Sequence, residues 1–331
     1  MKNIAVLGVR NMIGSELIKI LEQRDFPAGE VYFTAPGDTG GEETFFKDKE
    51  VRLQNNYDAF ADNVDIVFCC LDRVQARSAA SKFKKKALFI DCARAFSSTP
   101  GVPCVIPEIN GEVLMQQHNL VTNPWSMTIQ LLMVLHPLHV NFQLKHLHVV
   151  GLAAVSDLDW DAVDELSYEY EYLATGLNIE KCEGSVFPHT IGGNLIPQVG
   201  DFARQGDTEE EAVLAKEVSM MLGTADIKIS ATMVWAPVRR GHCLAVSAGF
   251  ERKTPLVEVR DILKKAPGVT IVKHDDEYPM PESVVGKDEV FVGRLRADKV
   301  FDNGLSMWIA CDNLRKGSAL NAVQIAELLP A

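Results

Sequence analysis

The sequence predicts an α/β chain built as a Rossmann-like parallel sheet domain followed by an α+β domain, and three observations carry that reading. A chain of 331 residues holds about two domains at ~150 residues each. Over about the first 120 residues, short runs of branched side chains alternate with helix-spaced segments, the rhythm of parallel βα units. From Thr128 the rhythm changes to longer helices and strands.

The elements follow in order. Ile4 to Leu7 is an apolar run that stops at Gly8, after which Ile13, Leu17, Ile20 and Leu21 recur at helical spacing until Pro27, so a strand, a glycine turn and a helix are expected. Val31 to Ala35, Val64 to Cys70, Ala87 to Asp91 and Cys104 to Ile106 read as further buried strands. A helix then runs from Thr128 to about Phe142 through Pro137, with strands near His146 to Val155, Lys228 to Ala236 and Cys243 to Phe250. Thr208 with Glu209, Glu210 and Glu211 forms a capping box for a helix that Gly223 closes. Leu314 to Leu328 is a last amphipathic helix. The expected divisions are 1–122, 123–312 and a closing segment 313–331 that packs back on the first domain.

Composition narrows the function. Lys plus Arg number 33 against 45 Asp plus Glu, a net charge of −12, so this surface repels a phosphate backbone and nucleic acid is not an expected partner. Apolar stretches such as Leu131 to Leu135 fall far short of the ~20 residues that span a membrane. MKNIAVLGV is too short and strand-like for an export signal, and a cytoplasmic protein is expected. Seven cysteines without a CxxC pair point to reduced, buried thiols, not to disulfides or structural zinc.

Gly8-Val9-Arg10-Asn11-Met12-Ile13-Gly14 stands where a dinucleotide fingerprint belongs, after a strand and opening a helix whose amides can hold a pyrophosphate. Its candidate cofactor contacts are Gly8, Arg10, Asn11, Met12 and Gly14. The middle glycine is absent, and Asn11 puts a side chain where the phosphates approach. Thr34-Ala35-Pro36-Gly37-Asp38 offers neither a well-placed acid for a ribose hydroxyl nor an Arg for a 2′-phosphate. A Rossmann-type fold with no cofactor, or weak NAD(P) binding, is the expectation.

Asn123-Pro124-Trp125-Ser126-Met127-Thr128-Ile129-Gln130 resembles the NPNCSTIQ segment of the aspartate-β-semialdehyde dehydrogenase family. ISATMVWAPVRRGHCLAV (229–246) resembles that family's ISATCVRVPVxxGHxxAV, FVGRLR (291–296) matches, and DNGLSMWIACDNLRKGSALNAVQIAELL (302–329) is very similar. The resemblance implies a homodimer joined through the second domain, a nucleophile position at Ser126, an acid/base position at His242 and a further cofactor contact at Asn313. It also exposes a set of replacements. Ser126 stands for the cysteine that forms the acyl-enzyme, Trp235 for the substrate-carboxylate Arg, Ser97 for the phosphate Arg and Ala153 for a substrate-contacting Gln. Asp157 and Asp159 stand for glycines, Thr34 to Thr39 for SARSAG, and Cys69-Cys70-Leu71-Asp72 for SAGG. Such a pattern resembles the Usg-type paralogues of the enzyme.

Losing a nucleophile costs on the order of 10⁴ to 10⁶ in kcat, and losing a charge clamp ~3 to 5 kcal/mol. The expectation is therefore a non-catalytic binding or regulatory paralogue. Two alternatives stay open: an NAD(P)-dependent semialdehyde oxidoreductase of altered substrate, and a Ser126–His242 acyl hydrolase, which would need an orienting carboxylate and oxyanion donors. His136, His139, His146 and His148 read as solvated or packed residues, and no metal is expected. Cys243 follows His242 on a strand and points the other way. Lys82, Lys84, Lys85 and Lys86 complement a helix C-terminus, and Tyr168 and Tyr172 share one helix face as packing residues.

Overall fold

The computed structural model describes residues 1–37, 42–83, 87–116, 118–176, 185–203, 206–274 and 276–329. Asp38, Thr39, Lys84, Lys85, Lys86 and Cys182 lie outside the described residues. Two compact units result, Met1–Trp125 with Ser318–Ala331, and Ser126–Gly317. Residues 313–317 thus lie with the second unit, not with a closing segment. The reason is local: Asn313 accepts the Gly241 amide hydrogen at 2.9 Å and Arg315 meets Asp288 at 2.6 Å.

In the first unit, β1 (Lys2–Leu7) leads through a turn into α1 (Met12–Gln23), followed by β2 (Ala28–Thr34), β3 (Glu43–Phe46), β4 (Lys49–Gln54) and β5 (Ile66–Cys69). Then come α2 (Arg73–Ala80), β6 (Leu88–Asp91), α3 (Pro107–Asn110) and β7 (Leu120–Thr122). The sheet order is β3-β4-β2-β1-β5-β6-β7, parallel except for the β3–β4 hairpin. Period-two alternation covers both faces, with Ile4, Val6, Phe68 and Ile90 on one and Ala5, Leu7, Val67 and Phe89 on the other. The closing helix, Leu320–Glu327, buries Leu320, Val323 and Ile325 in the first of these cores. Asn321 ties it down, donating to the Val105 carbonyl at 2.9 Å and to Asn123 Oδ1 at 2.6 Å.

Cys104 to Ile106 is not a strand. Only Cys104 bridges to Thr122, and the seventh strand is β7. Pro103 supplies no amide donor, and Pro107 opens α3 at its first turn, so the intervening residues cannot extend a ladder.

The second unit comprises α4 (Ser126–Phe142), β8 (Leu144–Ala153), α5 (Trp160–Ala174), α6 (Glu209–Met221), β9 (Lys228–Trp235), β10 (His242–Phe250), α7 (Leu256–Lys265), β11 (Val269–Ile271), α8 (Pro281–Val284), β12 (Val290–Ala297) and β13 (Gly304–Cys311). Its mixed sheet runs β11-β12-β13-β10-β8-β9. The capping box is formed: Thr208 Oγ1 accepts from the Glu211 amide at 3.4 Å, and Glu211 accepts from the Thr208 amide at 2.8 Å. Glu211 is buried because its other oxygen accepts the Met233 amide hydrogen at 2.8 Å, clamping α6 to β9. On α5, Tyr168 and Tyr172 pack on each other at 4.5 Å and stay exposed.

One buried acid in the first unit sets a pH dependence. Asp91, at the end of β6, accepts amide hydrogens from Ala93 at 3.0 Å and Phe96 at 2.9 Å. Burial outweighs those bonds and raises its carboxyl to about 6. The folded state therefore holds the proton more tightly than the unfolded chain, whose aspartates titrate near ~3.9. This contribution is fully present below pH ~4 and is lost as the pH rises through about 6, at a cost of ~3 kcal/mol. In urea titrations, the stability of Asp91→Asn relative to the unmodified chain should accordingly rise by ~3 kcal/mol between pH 4 and 7. A difference that stays flat across that range would refute the assignment.

Candidate active site

Strand register brings three of the predicted positions onto one rung of the second sheet. Trp235 on β9 pairs with Ala153 on β8. Cys243 pairs with Leu152, which sets His242 beside Ala153, and His242 pairs with Cys311. Residues level with one another across a sheet point to the same face, and this one is closed: Ala153, His242 and Cys311 are wholly buried and Trp235 nearly so. The Trp235 indole meets Phe187 edge to face at 5.5 Å. An apolar ring pair therefore occupies the place where a substrate guanidinium was sought. Cys311 is no nucleophile, because burial pushes its thiol far up; Cys243, on the opposite face, is raised to about 12 for the same reason.

Ser126 opens α4 and is reached from the rung through a residue that sequence reasoning left out of the site. Asp157, in the 3₁₀ turn Val155–Leu158, accepts the Ser126 hydroxyl hydrogen on Oδ1 at 3.2 Å. The same oxygen lies 3.2 Å from Nε2 of His242. His242 Nδ1 accepts the Ala154 amide hydrogen at 2.9 Å, so the ring proton is assigned to Nε2 and is donated to Asp157. Among the described residues, Ser126 and His242 share no direct hydrogen bond.

The loop that carries Asp157 is held on every side. Val155 donates to the Val238 carbonyl at 2.9 Å and Ser156 to that of Arg239 at 3.1 Å. Asn313 donates to Ser156 Oγ at 3.0 Å while accepting the Gly241 amide hydrogen. Gly241, at φ +98°, lies so close to α8 that a Cβ there would stand 2.8 Å from the Pro281 carbonyl oxygen. Asn313, a sequence candidate for cofactor binding, is thus buried in the second unit and holds this loop together. Asp159 ends the turn at φ 77°, ψ −166°, a region almost reserved for glycine.

The other cofactor candidates and Ser97 lie in the first unit. Gly8 turns at φ +89°, and a Cβ on Gly14 would stand 2.1 Å from the Gly8 carbonyl oxygen, so both glycines are required by the turn itself. Asn11 caps α1, accepting from the Gly14 amide at 2.9 Å and donating to the Cys70 carbonyl. Arg10 pairs with Glu42, and Met12 is the first residue of α1. The backbone has the shape of a dinucleotide turn, but the Asn11 side chain takes up a first-turn amide, and β2 ends in Thr34-Ala35-Pro36. These residues do not fit a phosphate-discriminating NADP site. Ser97 donates to the Arg94 carbonyl at 3.2 Å, and the Arg94 guanidinium lies 5.5 Å from the Trp125 ring centroid. Among the described residues no group of His, Cys, Asp and Glu has the arrangement of a metal site, and no helix is long and apolar enough to cross a membrane.

Two family models match, the semialdehyde dehydrogenase NAD binding domain over residues 3–117 and the semialdehyde dehydrogenase dimerisation domain over residues 135–316. An aspartate-semialdehyde dehydrogenase of Aquifex aeolicus is 36% identical, with 98% of this chain and 97% of the relative covered. The chain belongs to the aspartate-semialdehyde dehydrogenase family. The Bacillus subtilis aspartate-semialdehyde dehydrogenase is 33% identical, over 99% of this chain and 97% of its own. Among solved structures, aspartate semialdehyde dehydrogenase II of Vibrio cholerae complexed with ASA superposes with a TM-score of 0.94 at 30% identity, covering 99% of this chain and 98% of that one.

Family membership explains why the rung is intact although its side chains differ. The signal that Asp157 belongs to the site was present in the sequence: a charged residue stood where the family resemblance called for glycine. It read only as a replaced glycine, because spacing alone does not say where a loop carboxylate is aimed. Asp159 carries a separate consequence. Its backbone conformation costs of order 1–3 kcal/mol for a residue with a Cβ, so Asp159→Gly is expected to stabilise the protein by about 1 kcal/mol or more. A urea midpoint that falls in this variant would show that the carboxylate's own contacts outweigh the strain.

Proposed function

We propose that this member of the family is a cytoplasmic homodimer that binds a ligand at the Ser126 site without dehydrogenase chemistry. The observation that carries the proposal is the Ser126 hydroxyl, which donates to a carboxylate at 3.2 Å and shares no direct hydrogen bond with the His242 imidazole that would have to remove its proton. A hydroxyl needs full activation by a base to attack a carbonyl. The rung beside it supplies Trp235 and Ala153, neither of which clamps a carboxylate. Cofactor binding is correspondingly absent or weak, since Asn11 uses the amide of Gly14.

The geometry argues against the acyl-hydrolase reading. In a serine relay the imidazole takes the hydroxyl proton on one nitrogen and is oriented by a carboxylate on the other. Here one nitrogen faces the backbone, and the other faces the carboxylate that already holds the hydroxyl. Asp157 stands between the two groups that would have to react.

Incubation of the pure protein with NADP or NAD, phosphate and a panel of semialdehydes should give no reduced nicotinamide absorbance. NADPH formation that scales with protein and disappears in Ser126→Ala would overturn the proposal in favour of an oxidoreductase of altered substrate. Dimerisation is supported by the match of residues 135–316 to a dimerisation domain and depends on packing of that unit, not on the replaced polar groups. Analytical ultracentrifugation at micromolar concentration should give a dimer mass, and a monomer there would contradict it.

A further inference from the structure

We propose that a cleft on the face of the second sheet turned away from His242 binds a small aromatic anion, a flat ring carrying one acidic group. Ala245 on β10, Arg294 and Arg296 on β12, Met307 and Trp308 on β13 and Tyr278 from the segment before α8 line it, around a volume of about 280 Å³. Register fixes its place. Cys243 pairs with Ala310 and Ala245 with Trp308, so the Trp308 ring lies on the face of Cys243, opposite to that of His242. Part of this face is covered by Val284 of α8, which packs with Cys243 and Ala310. The cleft is a neighbouring part left open, with Ala245 and Tyr278 exposed.

Charge selects what enters. The chain carries a net charge of −12, yet two guanidiniums of its FVGRLR segment meet here, and among the described residues neither is paired with a carboxylate. Arg296 Nη1 donates to the Arg294 carbonyl at 2.8 Å, which uses one of the five hydrogens a guanidinium offers. Asp298, two residues on, is engaged elsewhere: it accepts the amide hydrogens of Val300 at 2.7 Å and Phe301 at 3.0 Å and the hydroxyl hydrogen of Ser306. The backbone sets the arginines in place, because the β12–β13 register breaks between Gly293 and Arg296 and Arg294 stands at φ +55°. A residue with a Cβ keeps that conformation only where its surroundings hold it, as they do at ligand clamps. The aromatic wall is fixed too. The Trp308 indole donates to the Pro279 carbonyl at 2.8 Å, and a Cβ on Gly293 would stand 2.7 Å from Pro279 Cδ, so the segment of Tyr278 lies directly on β12. With its one hydrogen spent, Trp308 offers a ligand its ring. Ring surface beside two planar donor forks complements an aromatic acid, whose acidic group takes the forks and whose ring takes the indole. The volume is close to the lower end of the ~300–1,000 Å³ of ligand pockets, room for one or two fused rings and not for a dinucleotide.

Equilibrium dialysis of the full-length protein against naphthoate, naphthamide and naphthylmethylammonium tests the assignment. Naphthoate should bind saturably, one molecule per chain, and roughly fivefold or more tightly than the neutral amide, while the ammonium should not bind. Its advantage over the amide should shrink as salt is added. In Arg294→Gln/Arg296→Gln the anion and the amide should bind alike. Ala245→Trp, which fills the cleft from its floor, should weaken both. Binding of naphthoate no tighter than that of naphthamide, an uptake that does not saturate at millimolar concentration, an advantage that survives the arginine double variant, or binding untouched by Ala245→Trp would each overturn the proposal. Ultracentrifugation of the double variant should give the mass of the unmodified protein. Dissociation there would show that the cleft faces a second copy of the chain, and would overturn the ligand assignment. None of these readouts involves the Ser126 site or turnover.

Discussion

The amide hydrogen of Ala154 reaches Nδ1 of His242 at 2.9 Å, where β8 ends beside β10. That bond joins two neighbouring strands at the level of the rung and fixes which nitrogen of the ring carries its proton. Everything about the site follows from the direction it imposes: Nε2 faces Asp157, Asp157 faces Ser126, and the start of α4 is coupled to the sheet through a carboxylate. An imidazole free to turn could serve a hydroxyl as a base. This one is held by the backbone on one side and by an acid on the other.

The first sheet was legible because its signals are local. Apolar runs ending at Gly8, at Cys70 and at Asp91 mark three adjacent parallel strands, and both of their faces are buried, which is why they read as unbroken apolar stretches rather than as alternation. The β3–β4 hairpin was not legible, since it sits at the sheet edge and is built with exposed charged residues, Glu43 paired with Arg52 and Lys49 and Glu50 opposite Phe46 and Phe45. Leu120–Thr122 is too short to declare itself. Its place is set by the ladder to β6 and by the Phe89 amide bonding to the Asn119 carbonyl at 2.8 Å. In the second unit the FVGRLR segment showed itself as a motif and not as a strand, because the register of β12 on β13 is broken between Gly293 and Arg296 and the period-two pattern breaks with it.

The site was legible in position but not in wiring. Family resemblance located Ser126, His242, Trp235 and Ala153, and the register shows why the last three are neighbours despite lying up to 89 positions apart, the span from Ala153 to His242. Resemblance treats each position as filled or vacated. It therefore recorded Asp157 as a missing glycine, when its consequence is a new charge in contact with two site residues. Residue identity is a statement about side chains, whereas wiring depends on where the backbone aims them.

The backbone of that loop is the deeper determinant. Asp159 keeps a conformation suited to glycine although it bears a side chain, and such strain persists only where the surroundings over-determine the chain. Here they do: Val155 and Ser156 bond to the strand-end segment that precedes His242, Ser156 bonds to Asn313, and Asn313 in turn bonds to Gly241. None of those bonds involves a side chain at 157 or 159. The path of the loop is therefore held by bonds of its neighbours as well as by what stands at 157 and 159, and the Asp157 side chain leaves it toward Ser126 and His242. With the ring proton of His242 and the hydroxyl of Ser126 both lying along that direction, a carboxylate at this point is held by two donors, which is how one residue in a braced loop links the start of α4 to the sheet without altering the fold that holds it.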